Sequence, residues 1–125
     1  MSTRLMRPGE GDAKPGLDWS YVGPAGGYTN KTTDVALVAA VAGQKNYIVS
    51  LQIAAGVALA TASELVVKDG STVVWRMSLP AAVIQPTTIN FDPPLRGSVN
   101  SALNAAAVTL FATGNLSINA QGYTV

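Results

Sequence analysis

The chain has 125 residues, room for one compact domain and too little for two of ordinary size. Charged residues make up 12% against 48% hydrophobic, about half the charged share of a typical soluble domain. With no Cys and no His, disulfide staples, Cys/His zinc sites, iron–sulfur ligation, thiol nucleophiles and His-based triads are all excluded.

Residues 1–16 (MSTRLMRPGEGDAKPG) open the chain as an expected arm. Pro8, Gly9, Gly11, Pro15 and Gly16 are interspersed with Arg4, Arg7, Glu10, Asp12 and Lys14. Such a composition buries too little apolar surface to offset its ordering entropy, so an extended or flexible segment is expected in the free protein. It has no secretory apolar core, so no signal peptide is expected. The absence of cysteine fits assembly in a reducing cytoplasm.

From Leu17 onward the pattern changes to short apolar runs broken by turn residues, and residues 17–125 read as one domain. Leu17–Val22 (LDWSYV) alternates, and Gly23–Gly27 (GPAGG) breaks it. Val35–Val41 is an apolar run ending before Gly43. In Asn46–Ala54, Ile48 (or Tyr47), Val49, Leu51 and Ile53 suggest period-two placement. Glu64–Lys68 and Thr72–Leu79 flank Asp69-Gly70, the strongest short-range hairpin signal in the chain, because both turn positions need positive φ. Thr87–Phe91 is short and stops before Pro93-Pro94. Ala105–Ala112 and Leu116–Tyr123 finish the domain, joined across Thr113-Gly114-Asn115. Ala and Leu in Ala54–Ala62 favour a helical turn by propensity, but the β-branched and aromatic neighbours favour strand. About eight short strands predict an all-β, antiparallel β-sandwich of jelly-roll type with an extended N-terminal arm.

The net charge of +1 is no electrostatic footprint for nucleic acid, and no polybasic membrane anchor is present. Asn46–Ser63 and Gly97–Val125 carry no charge, yet both hold amides that a bilayer core would disfavour. Neither nucleic acid nor membrane is therefore expected as a partner. Burial against protein is the better account of such segments, and it predicts a homo-oligomer.

Little chemistry is on offer. Asp18, Asp34, Glu64, Asp69 and Asp92 are the acids of the domain, and each has a simpler role than a glycosidase-like pair. GPAGG lacks the Gly-Lys-Ser/Thr core of a phosphate loop. Asn30-Lys31-Thr32 and Asn115-Leu116-Ser117 match the glycosylation acceptor pattern, by chance where no secretory route exists. Trp19, Tyr21, Tyr28, Tyr47, Trp75 and Tyr123 would make a sugar-stacking platform if exposed and a core if buried, the usual outcome. Arg76 is expected on the sheet face opposite Trp75, and Arg96 in an ordered turn as a structural anchor. No catalytic residue, metal ligand or cofactor is expected.

Glu64–Arg76 (ELVVKDGSTVVWR), Ile89–Leu103 (INFDPPLRGSVNSAL) and Ile118–Tyr123 (INAQGY) together resemble small structural proteins of tailed bacteriophages. The likeness is to jelly-roll head decoration or cement proteins, and to related tail and fibre-head modules. It covers roughly the C-terminal half of the chain. It implies binding without catalysis, as a homotrimer at local three-fold positions on the outer capsid surface. There such proteins bridge neighbouring major capsid protein subunits, often through terminal arms. On composition, Arg4, Leu5, Met6 and Arg7 are the expected capsid-binding arm contacts, and Asn119 and Tyr123 the expected subunit-interface residues. A receptor-binding or tail-fibre module using aromatics on glycans is the alternative, and a cellular adhesion module the third.

Overall fold

In a computed structural model the described residues are 17–29 and 32–125. They form eight strands and no helix: β1 (Leu17–Val22), β2 (Val35–Val38), β3 (Lys45–Val57), β4 (Ser63–Asp69), β5 (Thr72–Leu79), β6 (Ile84–Val99), β7 (Leu103–Ala107) and β8 (Asn115–Thr124). The helical propensity of Ala54–Ala62 is overridden: β3 runs to Val57, where its partner β8 begins.

Two four-stranded antiparallel sheets result, ordered β1-β8-β3-β6 and β2-β7-β4-β5. Only the β4–β5 hairpin joins neighbours within a sheet; every other connection crosses to the opposite sheet. The sheets pack as a β-sandwich. Its core takes Ile48, Leu51 and Ile53 of β3 with Leu116, Ile118 and Ala120 of β8 on one side. Leu65 and Val67 of β4 with Leu103, Ala105 and Ala107 of β7 lie on the other. Phe111, in the β7–β8 crossing, is fully buried and caps this core.

The strongest alternation is in β8, where every second residue from Leu116 to Thr124 is buried. In β3 the period breaks at Val49, a bulge between the Ile48 and Ser50 pairings, so Val49 is not a core residue as its spacing suggested. β6 also departs from expectation. It does not stop at Phe91 but runs through Pro93-Pro94, because the double proline lies in the residues that bulge opposite Val49, between the Ser50↔Asn90 and Ile48↔Leu95 pairings. Proline is tolerated there because β6 is an edge strand with no second neighbour to receive an N–H. Arg96 is accordingly a strand residue opposite Tyr47, not part of a turn.

The β4–β5 hairpin forms, but its loop is Gly70-Ser71, with Asp69 paired to Thr72 as the last strand residue. Gly70 has φ 62° and Ser71 lies outside the positive-φ residues, which fits a II′ turn and not I′. Freed from the turn, the Asp69 carboxylate accepts the Ser98 backbone N–H at 3.1 Å and the Ser98 hydroxyl at 2.6 Å, tying the hairpin to β6 of the other sheet. Burial raises its pKa, but hydrogen bonds from Ser101 and Ser98 outweigh this and hold the carboxyl below the ordinary 3.8.

Asn46 is a second tie between the sheets and is fully buried. Its Nδ2 donates to the Ala39 and Ser101 carbonyls at 3.0 Å, and its Oδ1 accepts from Thr124 Oγ1 at 2.5 Å. Gly122 of β8 lies under the Trp19 indole, where a Cβ would overlap the Tyr47 carbonyl and the indole ring.

Candidate interaction surfaces

Directly opposed residues of an antiparallel sheet point to the same face. Trp19 and Tyr21 pack on the core, so Asp18, Ser20 and Val22 of β1 face outward. Continuing across the sheet by register gives three outward rows. The first is Asp18–Tyr123–Tyr47–Arg96, the second Ser20–Gln121–Ser50–Asn90, the third Val22–Asn119–Gln52–Thr88. The only ionisable carboxylate and cation in these rows are Asp18 and Arg96, at the two edges of the first.

Inside that frame the polar groups satisfy one another. Gln52 Nε2 donates to Gln121 Oε1 and Gln121 Nε2 to Gln52 Oε1, both at 2.8 Å. Ser50 Oγ donates to Gln121 Oε1 at 2.6 Å. Asn119 Oδ1 accepts the Gly23 backbone N–H at 3.1 Å. Tyr47 and Tyr123 stack with ring centroids 4.7 Å apart and planes 11° off parallel. Beside Asn119 is a shallow groove of about 190 Å³ lined by Gln52, Ala54, Pro86, Thr88, Ser117 and Asn119.

The opposite outer face has another chemistry. Val66 and Ala106 are directly paired and point away from the core, yet are only 2% and 3% exposed. Charged side chains flank them. Arg76 Nη1 donates to Glu64 Oε1 at 3.0 Å, and Lys68 Nζ to Asp34 Oδ1 at 2.9 Å. A groove of about 370 Å³ runs among Glu64, Val66, Lys68, Val73, Arg76 and Ala106.

A third surface is one end of the sandwich, where residues 58–62, 80–83 and 108–114 come together. Leu59 N–H donates to the Ala82 carbonyl and Ala60 N–H to the Thr113 carbonyl, each at 3.2 Å. These loops carry no charged residue, and Val83, Val108 and Leu110 are each about half exposed.

The expected interface residues Asn119 and Tyr123 thus fall on one face, two rows apart. Their neighbours Tyr47, Ser50, Gln52 and Gln121 were missed, although placing the β3 bulge would have found them. Arg4, Leu5, Met6 and Arg7 lie outside the described residues. The aromatic platform divides: Trp19, Tyr21, Tyr28 and Trp75 pack on the core, leaving Tyr47 and Tyr123 outside it. Trp75 meets Phe91 edge-on at 5.5 Å, and Arg76 beside it faces outward as expected. Among the described residues no cluster of three His, Cys, Asp or Glu could hold a metal ion, and no helix is long and apolar enough to cross a membrane. No family model matches the chain, and no curated protein matches it.

Proposed function

We propose that the chain is a structural virion protein of a tailed bacteriophage, one that decorates and cements an icosahedral head without catalysing a reaction. In this reading it sits on the outer capsid surface, associates with copies of itself, and bridges neighbouring major capsid protein subunits. Three-fold association is what the resemblance of residues 64–76, 89–103 and 118–123 implies. The crossing strand order β1-β8-β3-β6 over β2-β7-β4-β5 supports a jelly roll.

The observation that carries the proposal is where the neutral surface lies. Two rows of one outer face and one loop end carry no charge, and depletion of charge with retained tyrosines characterises the centre of protein interfaces. Many copies on one lattice gain avidity, so modest single contacts suffice. Electron microscopy of particles carrying the protein is the test, with density on the head expected. Deleting residues 1–16 is expected to lower head occupancy in a pelleting assay, and unchanged occupancy overturns the arm contacts at Arg4, Leu5, Met6 and Arg7.

The groove beside Asn119 favours a second reading, a receptor-binding module for a neutral glycan. Its amides and hydroxyls offer donors and acceptors without charge. Density on the tail or fibre together with binding on a glycan array would select it over the first.

A further inference from the structure

We infer that the outer face of β1-β8-β3-β6 is buried against the same face of a second copy, related by a two-fold axis running along the strands between β8 and β3. The inference rests on the self-association in the reading above, but replaces three-fold by two-fold pairing.

Charge complementarity leads to this geometry. A two-fold axis along the strands reverses each row, so Asp18 at the β1 edge lies over Arg96 of the partner subunit, and Arg96 over the partner's Asp18. Among the described residues neither has an ion-pair partner within its own chain, and both are exposed. A two-fold axis across the strands would set β1 over the partner's β1, which holds no cation to meet Asp18. The reversed first row also sets Tyr123 over the partner's Tyr47, joining two stacked pairs into one aromatic cluster.

Apart from Lys45 at the start of β3 and Asp92 in the β6 bulge, the rest of the face is suited to a copy of itself. Amides and hydroxyls carry donor and acceptor together, so identical groups can meet across a symmetry axis where identical charges would repel. The Gln52–Gln121–Ser50 network is already closed on itself, which keeps its desolvation penalty low. Four strands about 4.8 Å apart and some 34 Å long present about 600 Å². Two such faces bury about 1,200 Å², the lower end of what a specific interface needs.

Sedimentation velocity and native mass spectrometry of the full chain at micromolar concentration test this. A dimer is expected. Asp18→Arg and Arg96→Asp should each raise its dissociation constant at least about tenfold, since each reversal sets two like-charge contacts across the axis. Combining them should restore it to within about threefold of the original. Circular dichroism checks that each variant stays folded. A monomer, a trimer, or a double swap as weak as the single ones overturns the two-fold pair. Head binding by a monomer or trimer refutes the pair and leaves the virion reading standing. A rescued dimer that binds no head does the reverse.

Discussion

The two outer faces of the sandwich rest on equal numbers of strands, yet they treat water differently. On β2-β7-β4-β5, Glu64, Arg76, Lys68 and Asp34 pair with each other around Val66 and Ala106, so the face carries its own cover. On β1-β8-β3-β6, uncharged amides and hydroxyls pair with each other, and among the described residues Asp18, Lys45, Asp92 and Arg96 around them have no ion-pair partner. The shortage of charge in the composition is therefore local. Four of the ten charged residues between Leu17 and Val125 pair on one face, whereas the four on the strands of the other, Asp18, Lys45, Asp92 and Arg96, lie outside its two neutral rows. The first face is complete in a single chain, and the second has the makings of a contact.

The largest test of this contrast attacks the β3–β8 register beneath the neutral face. Gly122→Val forces a side chain into the Tyr47 carbonyl and the Trp19 indole, and should destabilise by at least about 3 kcal/mol in urea unfolding. A loss under 1 kcal/mol would show that the strands separate easily there. Next is Asn46→Ala, which removes the partners of two carbonyls and of the Thr124 hydroxyl. About 2–3 kcal/mol is expected, because the site is closed to water.

Both boundaries of Leu17–Val22 and Thr72–Leu79 were legible, because alternation ends there at Gly or Pro. The path of β6 was not, since three prolines argue against a strand unless its edge position is known. Asp69-Gly70 was legible as a hairpin, but the role of Asp69 was hidden: its partner Ser98 is 29 residues away on the other sheet. Asn119 and Tyr123 were found through lack of charge. Their neighbours on β3 were not, because the bulge at Val49 shifts the outward set by one residue. Pairing across distant strands carries no local signal, so the rows of the face become visible only with the register.

Asp69→Asn is the third test, and its size is set by pH. The folded carboxyl has a depressed pKa, so its contribution is present above the unfolded value near 3.8 and is lost as pH falls through the lower folded value. About 1 kcal/mol is expected at pH 7, modest because the carboxylate is largely exposed, and the gap to the wild type should shrink below about pH 4. A constant gap from pH 7 to pH 3 would assign the effect to shape, not ionisation.

The smallest test separates the faces by salt. A double-mutant cycle on Glu64 and Arg76 should give under about 1 kcal/mol, falling toward zero in 1 M NaCl. The equivalent cycle on Gln52 and Gln121, measured under conditions where the chain is monomeric, should be of similar size and insensitive to salt. Equal salt dependence would erase the distinction between the faces.

The crossing strand order also sets a timetable. β8 sits between β1 and β3, and β7 between β2 and β4, so the last two strands of the sandwich in chain order occupy interior places, one in each sheet. The β2-β7-β4-β5 sheet cannot close before β7 is made, nor the β1-β8-β3-β6 sheet before β8. β1 and β2 must wait unpaired, since β8 is the one partner of β1 and β7 the one partner of β2. A nascent chain stalled before β7 therefore holds only the β4–β5 hairpin and the β3–β6 pair.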